Sequence, residues 1–535
     1  MKQNTVKQQV NRMLEKYPAA VFKNRKEHVV VKENELEEAQ RITANTRTIP
    51  GIITNRGCCY AGCKGVVVGP LRDALIITHG PIGCGYYSWG TRRHKGRTAG
   101  HEKNFLNYSF NTDLQEGDIV FGGEKKLRQA IREAVEIFHP ETVMICSTCP
   151  VGLIGDDINA VASWAQKEFA IKVLAFSCEG YKGVSQSGGH HIANNQLIKH
   201  IIGTGDKAVG KYSVNILGEY NIGGDGWEIE RVLKKIGYHI VSVMTGNGTV
   251  EELKSAHKAD LNVVQCHRSI NYIGEMMNTK YGTDWIKVNF VGVKSTMKSL
   301  RDMALYFDDP DLMARTEAVI AEELSEISPI MEQYRESCEG KTAALFVGGS
   351  RAHHYQVLLK DLGVETVLAG YEFGHRDDYE GREVIPTIKE DGDSKNIESI
   401  EVEADSKHYK LYLSKEQLEK LKDKLKINYY EGMMKEMPDG SVVVDDLNHF
   451  ETEELIKALK PDIFCSGIKD KYVAHKQGIF SKQLHSYDYS GPYAGFKGAV
   501  NFARDIAMGL TTPSWKYVTP PWKTEPMLEG SIVGG

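Results

Sequence analysis

The amino-acid sequence predicts an α/β protein with parallel sheets flanked by helices, arranged as three Rossmann-like domains. Short apolar runs alternate with amphipathic stretches along most of its 535 residues. Most of these runs lack the polar alternation of a half-exposed strand, which is typical of parallel strands covered on both faces. A single core rarely grows beyond about 250–300 residues, so we expect about three domains.

The predicted strands are short β-rich runs at 74–81, 143–146, 172–178, 213–220, 239–246, 261–266, 342–349, 365–373 and 462–468. Helical patterns lie between them, for example at 227–236 and 300–306. Because strands and helices alternate, the pattern favours doubly wound sheets over an all-helical or sandwich fold.

Composition and charge exclude several classes of function. The net charge is -5, from 66 Lys+Arg against 71 Asp+Glu, and no basic stripe alternates with aromatic residues, which argues against a nucleic-acid partner. The polar N-terminus lacks the apolar core of a signal peptide. No apolar run approaches the roughly 20 residues that a membrane span needs. We therefore expect a cytoplasmic protein with no membrane partner.

The chain contains 10 cysteines, too few for a disulfide scaffold of this length. In a reducing compartment, clustered cysteines indicate a metal site or catalysis. Ligands of open α/β sheets bind beyond the carboxyl ends of the strands. The residues that follow predicted strands there are Cys84, Cys149, Cys266, Arg351, Lys469 and His485. Thiolates, backbone N–H groups and Arg donors are what an anionic iron–sulfur cluster requires, so we expect such clusters.

Two motifs have alternative interpretations. Residues 205–211 (GDKAVGK) are similar to a P-loop, but Tyr212 stands where Ser or Thr would hold Mg²⁺, so we expect no ATP site. Cys146 and Cys149 form a C-x-x-C that also suits a thioredoxin-type redox pair. The Pro150 that follows favours a cluster loop instead.

Other cysteines and histidines carry weaker signals. Cys58, Cys59 and Cys63 are spaced like half of a zinc site, but no matching pair follows at zinc-finger spacing. Adjacent side chains on a helix point about 100° apart, so we expect His190 and His191 to be one functional histidine and one packed neighbour. The thiols expected to be merely packed are Cys178, Cys338 and Cys465.

Long ordered blocks of sequence resemble the α subunits of nitrogenase molybdenum–iron proteins. The resemblance runs from about residue 45 to residue 523, except for an insertion near 381–430. The blocks are RGCCYAGCKGVV (56–67), HGPIGCGYYSWGTRR (79–93), FGGEKKL (121–127), CPVGLIGDDI (149–158), CEGYKGVSQSGGHHIANN (178–195), GEYNIGGDGW (218–227), QCHRSINYI (265–273), VGGSRAHH (347–354), GYEFGHRDDY (370–379), SGIKDKY (466–472) and LHSYDYSGPYAGF (484–496).

This resemblance implies an α2β2 tetramer with a nitrogenase β subunit, and transient docking of an ATP-hydrolysing iron protein. Electrons would pass through an eight-iron P-cluster (8Fe-7S) to an iron–molybdenum cofactor with homocitrate, held between the domains. The cofactor would reduce dinitrogen to ammonia and protons to hydrogen. The implied divisions are an N-terminal arm (1–47), a domain with P-cluster ligands (48–205), a domain with the cofactor cysteine (206–330) and a domain on the homocitrate and molybdenum side (331–535).

The resemblance also implies roles for the metal-ligating residues. Cys58, Cys84 and Cys149 match the P-cluster thiolates of the α subunit. Cys266 matches the thiolate on the terminal iron of the cofactor, and His485 matches the imidazole on molybdenum. Soft thiolates suit iron, and an imidazole with a hydroxy-carboxylate suits molybdenum.

Further residues are implied to surround the cofactor. Lys469 and Gln186 match residues that hold homocitrate, Val66 matches the side chain over the substrate-binding iron face, and Phe373 a packing wall. The donors to cofactor sulfides are Arg92, Arg351, His190 and the backbone of Gly348 and Gly349. The residues implied in catalysis are His190, Val66, Gln186 and Arg92.

The sequence also departs from the common pattern of this family. Cys59 and Cys63 are extra thiols beside Cys58, Gly188 stands where a larger residue is frequent, and Tyr487 replaces a frequent Trp. The charge-rich insertion near 381–430 is similar to one in a clostridial-type subgroup. We expect it to be a surface segment with some helix and no catalytic part.

Three related functions compete with this interpretation. A vanadium or iron-only nitrogenase α subunit usually lacks the SGIKDK-type block with Lys469. A cofactor-assembly scaffold tends to lose the molybdenum-ligating histidine, here His485. A subunit similar to dark-operative protochlorophyllide reductase would lack both Cys266 and His485. All of these residues are present, which favours the molybdenum enzyme.

Overall fold

The structure is a computed structural model that describes residues 2–33, 42–44, 57–90, 103–183, 185–348, 351–372, 374, 376–381, 397–425, 432–467, 470–484, 490–512, 514 and 517. The strands in these ranges are β1 (Val29–Val31), β2 (Ala74–His79), β3 (Phe110–Asn111), β4 (Thr142–Ser147), β5 (Lys172–Phe176), β6 (Ser213–Glu219), β7 (His239–Thr245), β8 (Leu261–Val264), β9 (Asp284–Lys287), β10 (Thr342–Val347), β11 (Glu365–Tyr371), β12 (Val442–Val444), β13 (Ile463–Ser466) and β14 (Phe480–Gln483).

The α-helices of the same ranges lie between and around these strands. They are α1 (Lys2–Leu14), α2 (Ala19–Arg25), α3 (Ile82–Gly90), α4 (Glu116–Phe121), α5 (Glu124–Phe138), α6 (Cys149–Ile154), α7 (Ile158–Phe169), α8 (Gln186–His200), α9 (Asp225–Ile236), α10 (Val250–Lys254), α11 (His267–Tyr281), α12 (Val293–Phe307), α13 (Pro310–Cys338), α14 (Arg351–Asp361), α15 (Arg376–Glu380), α16 (Lys415–Leu425), α17 (His449–Leu459), α18 (Lys471–Lys476) and α19 (Gly495–Thr511). No described helix has the length and apolar character to cross a membrane.

The first two sheets are parallel throughout and share one topology. Their strand orders are β3-β2-β4-β5 and β7-β6-β8-β9. The chain therefore changes direction across the sheet between β2 and β4, and again between β6 and β8. Crevices beyond the carboxyl ends of strands at such switch points are the usual ligand sites of doubly wound folds.

The third sheet has the order β1-β12-β11-β10-β13-β14, with its switch point between β10 and β13. Its pairs are parallel except that β1 pairs antiparallel with β12. The N-terminal residues are attached to this sheet, because Arg25 donates two hydrogen bonds, at 2.8 and 2.7 Å, to the buried carboxylate of Glu451. The domain boundaries predicted after residues 47, 205 and 330 stay predictions.

Hydrophobic cores join the three sheets to one another. One cluster of buried residues contains both Ile216 of the second sheet and Leu345 of the third. Another contains Met144 of the first sheet and Val264 of the second. Each sheet is therefore held at a defined position relative to the next, and so are the loops at its carboxyl ends.

The predicted fold class is confirmed by these sheets. All nine predicted strands overlap observed ones, and the two helical patterns lie within α9 and α12. The strands that the sequence did not indicate are β1, β3, β9, β12 and β14. These strands are short, between two and four residues. In β9 (DWIK) and β14 (FSKQ), polar residues also interrupt the apolar pattern by which a strand is predicted.

The charge-rich insertion packs on the protein instead of standing apart from it. Its predicted helix is α16, and both Leu425 at the end of this helix and Leu413 just before it belong to the core of the second and third sheets. The backbone N–H of Lys410 donates to the Tyr281 carbonyl, and the Asn195 amide donates to the Glu398 carbonyl, at 2.9 and 2.8 Å. Residues 382–396 and 426–431 of this segment lie outside the described ranges.

A π-helix (Ala61–Val68) crosses α8 at very short range. A Cβ atom built on Gly62 would lie 1.9 Å from the Gln186 carbonyl oxygen, and one built on Gly189 would lie 1.8 Å from the Cys59 carbonyl oxygen. No side chain fits at either position without moving backbone. The two glycines therefore set the distance between the π-helix and α8, and π-helices are rare elements that often mark functional sites.

We predict that Gly62→Ala destabilises the protein by up to about 3 kcal/mol, the cost of overpacking a rigid contact. The measurement is the unfolding midpoint in denaturant of the purified protein. Gly117→Ala is the control, because a Cβ atom there meets no heavy atom within 4 Å. Equal midpoints for the two variants would show that the π-helix and α8 tolerate a wider separation.

Candidate functional site

Three cysteines converge beyond the switch point of the first sheet. Cys84 lies on α3 after β2, Cys149 begins α6 after β4, and Cys58 precedes the π-helix. A Cβ atom on Gly180 would lie 3.0 Å from the Cys149 Sγ and 3.3 Å from the Cys58 Sγ, so both thiols flank one backbone position. Partial burial and the charges of Cys58 and Cys149 raise the pKa of Cys84. The three thiols therefore form one group that can bind a metal cluster.

This thiol group lies at the protein surface. Cys58 and Cys84 are exposed and Cys149 is half-buried. Large apolar side chains around it are also exposed: Ile82, Tyr86 and Tyr87 on α3, Leu153 on α6, and Tyr181. Apolar patches of this kind on a folded protein mark interaction sites.

The extra thiol of Cys59 points away from this surface group. Its Sγ donates to the Ser185 carbonyl at 3.6 Å, and burial raises its pKa to about 12, with the neighbouring Cys58 as a smaller cause. A Cβ atom on Gly188 would lie 2.9 Å from this Sγ. Cys59 therefore occupies the space that a larger residue at 188 would need, which gives a physical reason for both departures from the common pattern.

The fourth predicted ligand, Cys266, is buried at the switch point of the second sheet. It follows β8 and immediately precedes α11. Gly218, near the end of β6, has a φ of +75°, and a Cβ atom on it would lie 2.9 Å from the Cβ and the N of Cys266. The two strand ends thus pack so closely that glycine is required opposite the thiol-bearing residue.

Arg351 connects this thiol to the third sheet. It begins α14 after β10, and its guanidinium donates to Glu219 at 3.1 Å and to Asp225 at 3.2 Å. Asp225 also accepts backbone hydrogen bonds from Tyr493 and Ala494 at 2.6 and 3.0 Å. Both carboxylates are fully buried. Because Glu219 adjoins Gly218, the guanidinium is held beside the Cys266 loop.

The charge of Glu219 depends on this arrangement. Burial raises the pKa of Glu219 to about 7, Arg351 acts in the opposite direction, and Asp225 raises the pKa further. Neither Glu219 nor Asp225 was singled out from the sequence, although both lie in the block GEYNIGGDGW. The available signal was that Glu219 lies near the carboxyl end of a predicted strand and Asp225 follows that strand.

Helix α8 places its polar residues toward both groups. The Oε1 of the buried Gln186 would lie 2.6 Å from a Cβ atom on Gly57, the residue before Cys58. The buried His190 stacks over Tyr220, with ring centroids 6.3 Å apart. The Tyr220 hydroxyl donates to Ser269 on α11 at 2.9 Å. His190 thus lies near the end of the second sheet, and Gln186 near the surface thiols.

His191 has the packing role that the sequence analysis expected of one histidine of the pair. Its Nδ1 is 2.7 Å from the Ser187 carbonyl oxygen, and its ring stacks on Tyr272 with centroids 4.4 Å apart.

Val66, on the π-helix, is partly buried against the core of the first and second sheets. Gly348 directly follows β10. The predicted site residues outside the described ranges are Arg92, Gly349, Phe373, Lys469 and His485, as is the variant position Tyr487.

A parallel α/β fold whose switch points gather thiols and a buried guanidinium is compatible with the class of metal–sulfur redox enzymes. The chain belongs to the family of nitrogenase component 1 type oxidoreductases, whose profile matches residues 58–511. It is therefore an oxidoreductase of the nitrogenase type, as the sequence blocks indicated.

Its relatives cover the whole chain. It is 57% identical to the nitrogenase molybdenum-iron protein alpha chain of Clostridium pasteurianum, over 98% of both chains. It is 53% identical to that of Methanosarcina barkeri, over 96% of this chain and 97% of the relative. The solved structure described as nitrogenase Cp1 at pH 6.5 superposes with a TM-score of 0.90 at 56% identity, over 98% of this chain and 100% of that one. These matches confirm the predicted family and the predicted fold class.

We predict that Glu219→Ala destabilises the protein by about 3 kcal/mol, because it leaves the guanidinium of Arg351 with one of its two carboxylate partners. Denaturant unfolding measures this cost. Glu317→Ala is the control, since its ion pair with Arg301 is exposed on both sides and should contribute less than about 1 kcal/mol. A loss no larger than that of the control would contradict a structural role for the Glu219 carboxylate.

Proposed function

We propose that this chain is the α subunit of a molybdenum nitrogenase, which reduces dinitrogen to ammonia and evolves hydrogen. The observation that carries the proposal is full-length identity of 57% and 53% to two alpha chains of molybdenum-iron proteins. The identity is accompanied by the residues that this chemistry needs: the surface thiol group, the buried Cys266 and the buried Arg351.

Cys58, Cys84 and Cys149 hold the α side of an 8Fe-7S P-cluster. Iron–sulfur clusters are bound by cysteine thiolates, and a cluster of eight irons needs more than three of them. The exposure of these thiols and the apolar side chains around them support sharing of the cluster with a β subunit in an α2β2 tetramer. On binding, that subunit covers Ile82, Tyr87 and Leu153.

Electrons reach this cluster from an ATP-hydrolysing iron protein that docks transiently. A second apolar patch, formed by Ile119, Val120 and Phe121, is exposed on α4. Helix α4 contacts α6, which begins with Cys149. A partner docked on α4 would therefore deliver electrons near the surface thiols. The chain works in the cytoplasm, where reducing conditions suit ten cysteines that form no disulfide.

The iron–molybdenum cofactor, when bound, supplies the metal face at which dinitrogen is reduced. Cys266 provides the thiolate for its terminal iron, and His485 provides the imidazole for molybdenum. Lys469 and Gln186 hold homocitrate, whose carboxylates require cationic or amide donors. Phe373 would provide an apolar side chain beside the cofactor, and Val66 would limit access of substrates to it.

Arg351 and its neighbours stabilise the anionic cofactor. Glu219 and Asp225 fix the guanidinium of Arg351, so its position does not depend on the ligand. Preorganised donors of this kind need not reorient when negative charge develops on the bound group during the reaction. Arg92 and the backbone N–H groups of Gly348 and Gly349 complete the set of donors.

His190 delivers protons to the bound substrate. Histidine has an unperturbed pKa near 6.5, so it can give and regain a proton near neutral pH. The stacking of its ring on Tyr220 supports this role because it fixes the direction of the ring nitrogens. Tyr220 in turn is held by Ser269, which lies one turn of helix after Cys266.

The experiment that tests the proposed function is substitution of the cofactor thiolate. Cys266→Ala should lose molybdenum and the spectroscopic signal of the cofactor while P-cluster iron remains, because a buried cluster cannot be retained without its iron anchor. Cys338→Ala is the control, since this thiol is equally buried but lies at the end of α13, away from every switch point. Unchanged molybdenum content in Cys266→Ala would refute the assignment.

We predict that His190→Gln keeps molybdenum and hydrogen evolution but loses most ammonia formation, because Gln retains an N–H donor yet cannot shuttle a proton. The products are measured at matched molybdenum content. His191→Gln is the matched control and should lower stability without changing the ratio of ammonia to hydrogen. Near-normal ammonia from His190→Gln would leave His190 as a positioning residue.

We also predict that the α chain purified without a β subunit holds no complete P-cluster, because the surface thiol group has too few thiolates for eight irons. Iron is counted per chain before and after the β subunit is supplied. A fully loaded eight-iron cluster in the α chain alone would rule out sharing between subunits.

A further inference from the structure

Three cysteines outside the surface thiol group meet in the interior. Cys63 lies on the π-helix, Cys146 on β4, and Cys178 two residues after the end of β5. Their Sγ atoms all lie within 4.8 Å of one another, and each side chain is completely buried. Cys146 pairs with Phe176 in the sheet. Because Cys178 is only two residues beyond Phe176, this pairing places Cys178 near Cys146. The Cys178 backbone N–H donates to the Ser147 hydroxyl at 3.1 Å and fixes that turn.

We propose that Cys63, Cys146 and Cys178 bind one zinc ion as a structural three-thiolate site, separate from the clusters of the redox reaction. Zinc–sulfur bonds are about 2.3 Å long, so three sulfurs around one ion lie about 4 Å apart. The trio, with its Sγ atoms within 4.8 Å of one another, is compatible with this separation. Thiolates are soft ligands that select zinc over the hard cations of the cell.

The three thiols and Lys64 affect one another electrostatically. Burial opposes ionisation of Cys146, but its contacts with Cys178 and Cys63 and the charge of Lys64 lower its pKa. The Cys178 Sγ donates to the Ser147 carbonyl at 3.5 Å. Burial and the neighbouring sulfurs raise the pKa values of Cys63 and Cys178. Zinc binding displaces the protons of the three thiols to solvent and needs no oxidant or reductant.

Charge balance favours a divalent ion. Lys64 is buried next to Cys63 in the chain. Three thiolates, one Zn²⁺ and one ammonium group sum to zero, and an uncompensated charge is costly in an interior of low dielectric constant. A monovalent ion would leave a net negative charge at the same place.

The position of the site gives it a structural role. It attaches the π-helix to β4 and to the turn after β5. Cys58 lies just before this π-helix, and Cys149 lies three residues after Cys146. A metal ion bound by the trio thus fixes the backbone that carries two of the surface thiols.

The test is zinc analysis of the intact complex after dialysis against a chelator. We expect one zinc ion per α chain in the natural protein and its loss in Cys178→Ser. Cys465→Ser is the control, because this thiol is completely buried on β13, far from the trio, and should keep zinc. Chelator-resistant zinc that persists in Cys178→Ser would overturn the site.

A second measurement on the natural protein does not depend on the folding of a variant. Zinc-edge X-ray absorption should show a shell of three sulfurs at about 2.3 Å. The absence of zinc from the dialysed complex, or a shell of nitrogen and oxygen only, would show that the trio consists of packed thiols.

Discussion

The crossing of the π-helix and α8 is the contact on which the candidate sites depend. At Gly62 and Gly189 the two backbones approach more closely than any side chain would allow. The π-helix follows Cys58 and carries Val66, and α8 carries Gln186 and His190. Because the contacts at these two glycines fix both elements, they also fix the position of the surface thiol group relative to the buried Cys266.

A second constraint is electrostatic and joins the second sheet to the third. Glu219 and Asp225 lie at the end of β6 and the start of α9, and both hold Arg351 from the start of α14. Removing two carboxylates and a guanidinium from water is expensive unless they are paired and hydrogen-bonded. The arrangement satisfies that requirement, and it places a positive charge beside Cys266 where an anionic cofactor would bind.

Much of this organisation could be predicted from the sequence, and the parts that could not have physical reasons. Apolar runs indicated the strands, and the strand ends indicated where Cys84, Cys149, Cys266 and Arg351 lie, because parallel sheets expose ligands at one edge. The trio of Cys63, Cys146 and Cys178 was not predicted, since its members are distant in sequence and only the register of β4 and β5 brings them together. Nothing in the sequence explained Gly188 at a position where a larger residue is frequent, and the structure shows the Cys59 thiol in the space that such a residue would need. The roles of Lys469 and His485 stay predictions from the resemblance.

In the proposed function, one molybdenum-containing cofactor lies where the switch points of the second and third sheets meet. Anomalous X-ray scattering from crystals of the purified complex, recorded on either side of the molybdenum absorption edge, tests it directly. We expect one molybdenum peak per α chain, at the imidazole of His485. A molybdenum peak at any other place, or a vanadium or iron signal there without molybdenum, would contradict it.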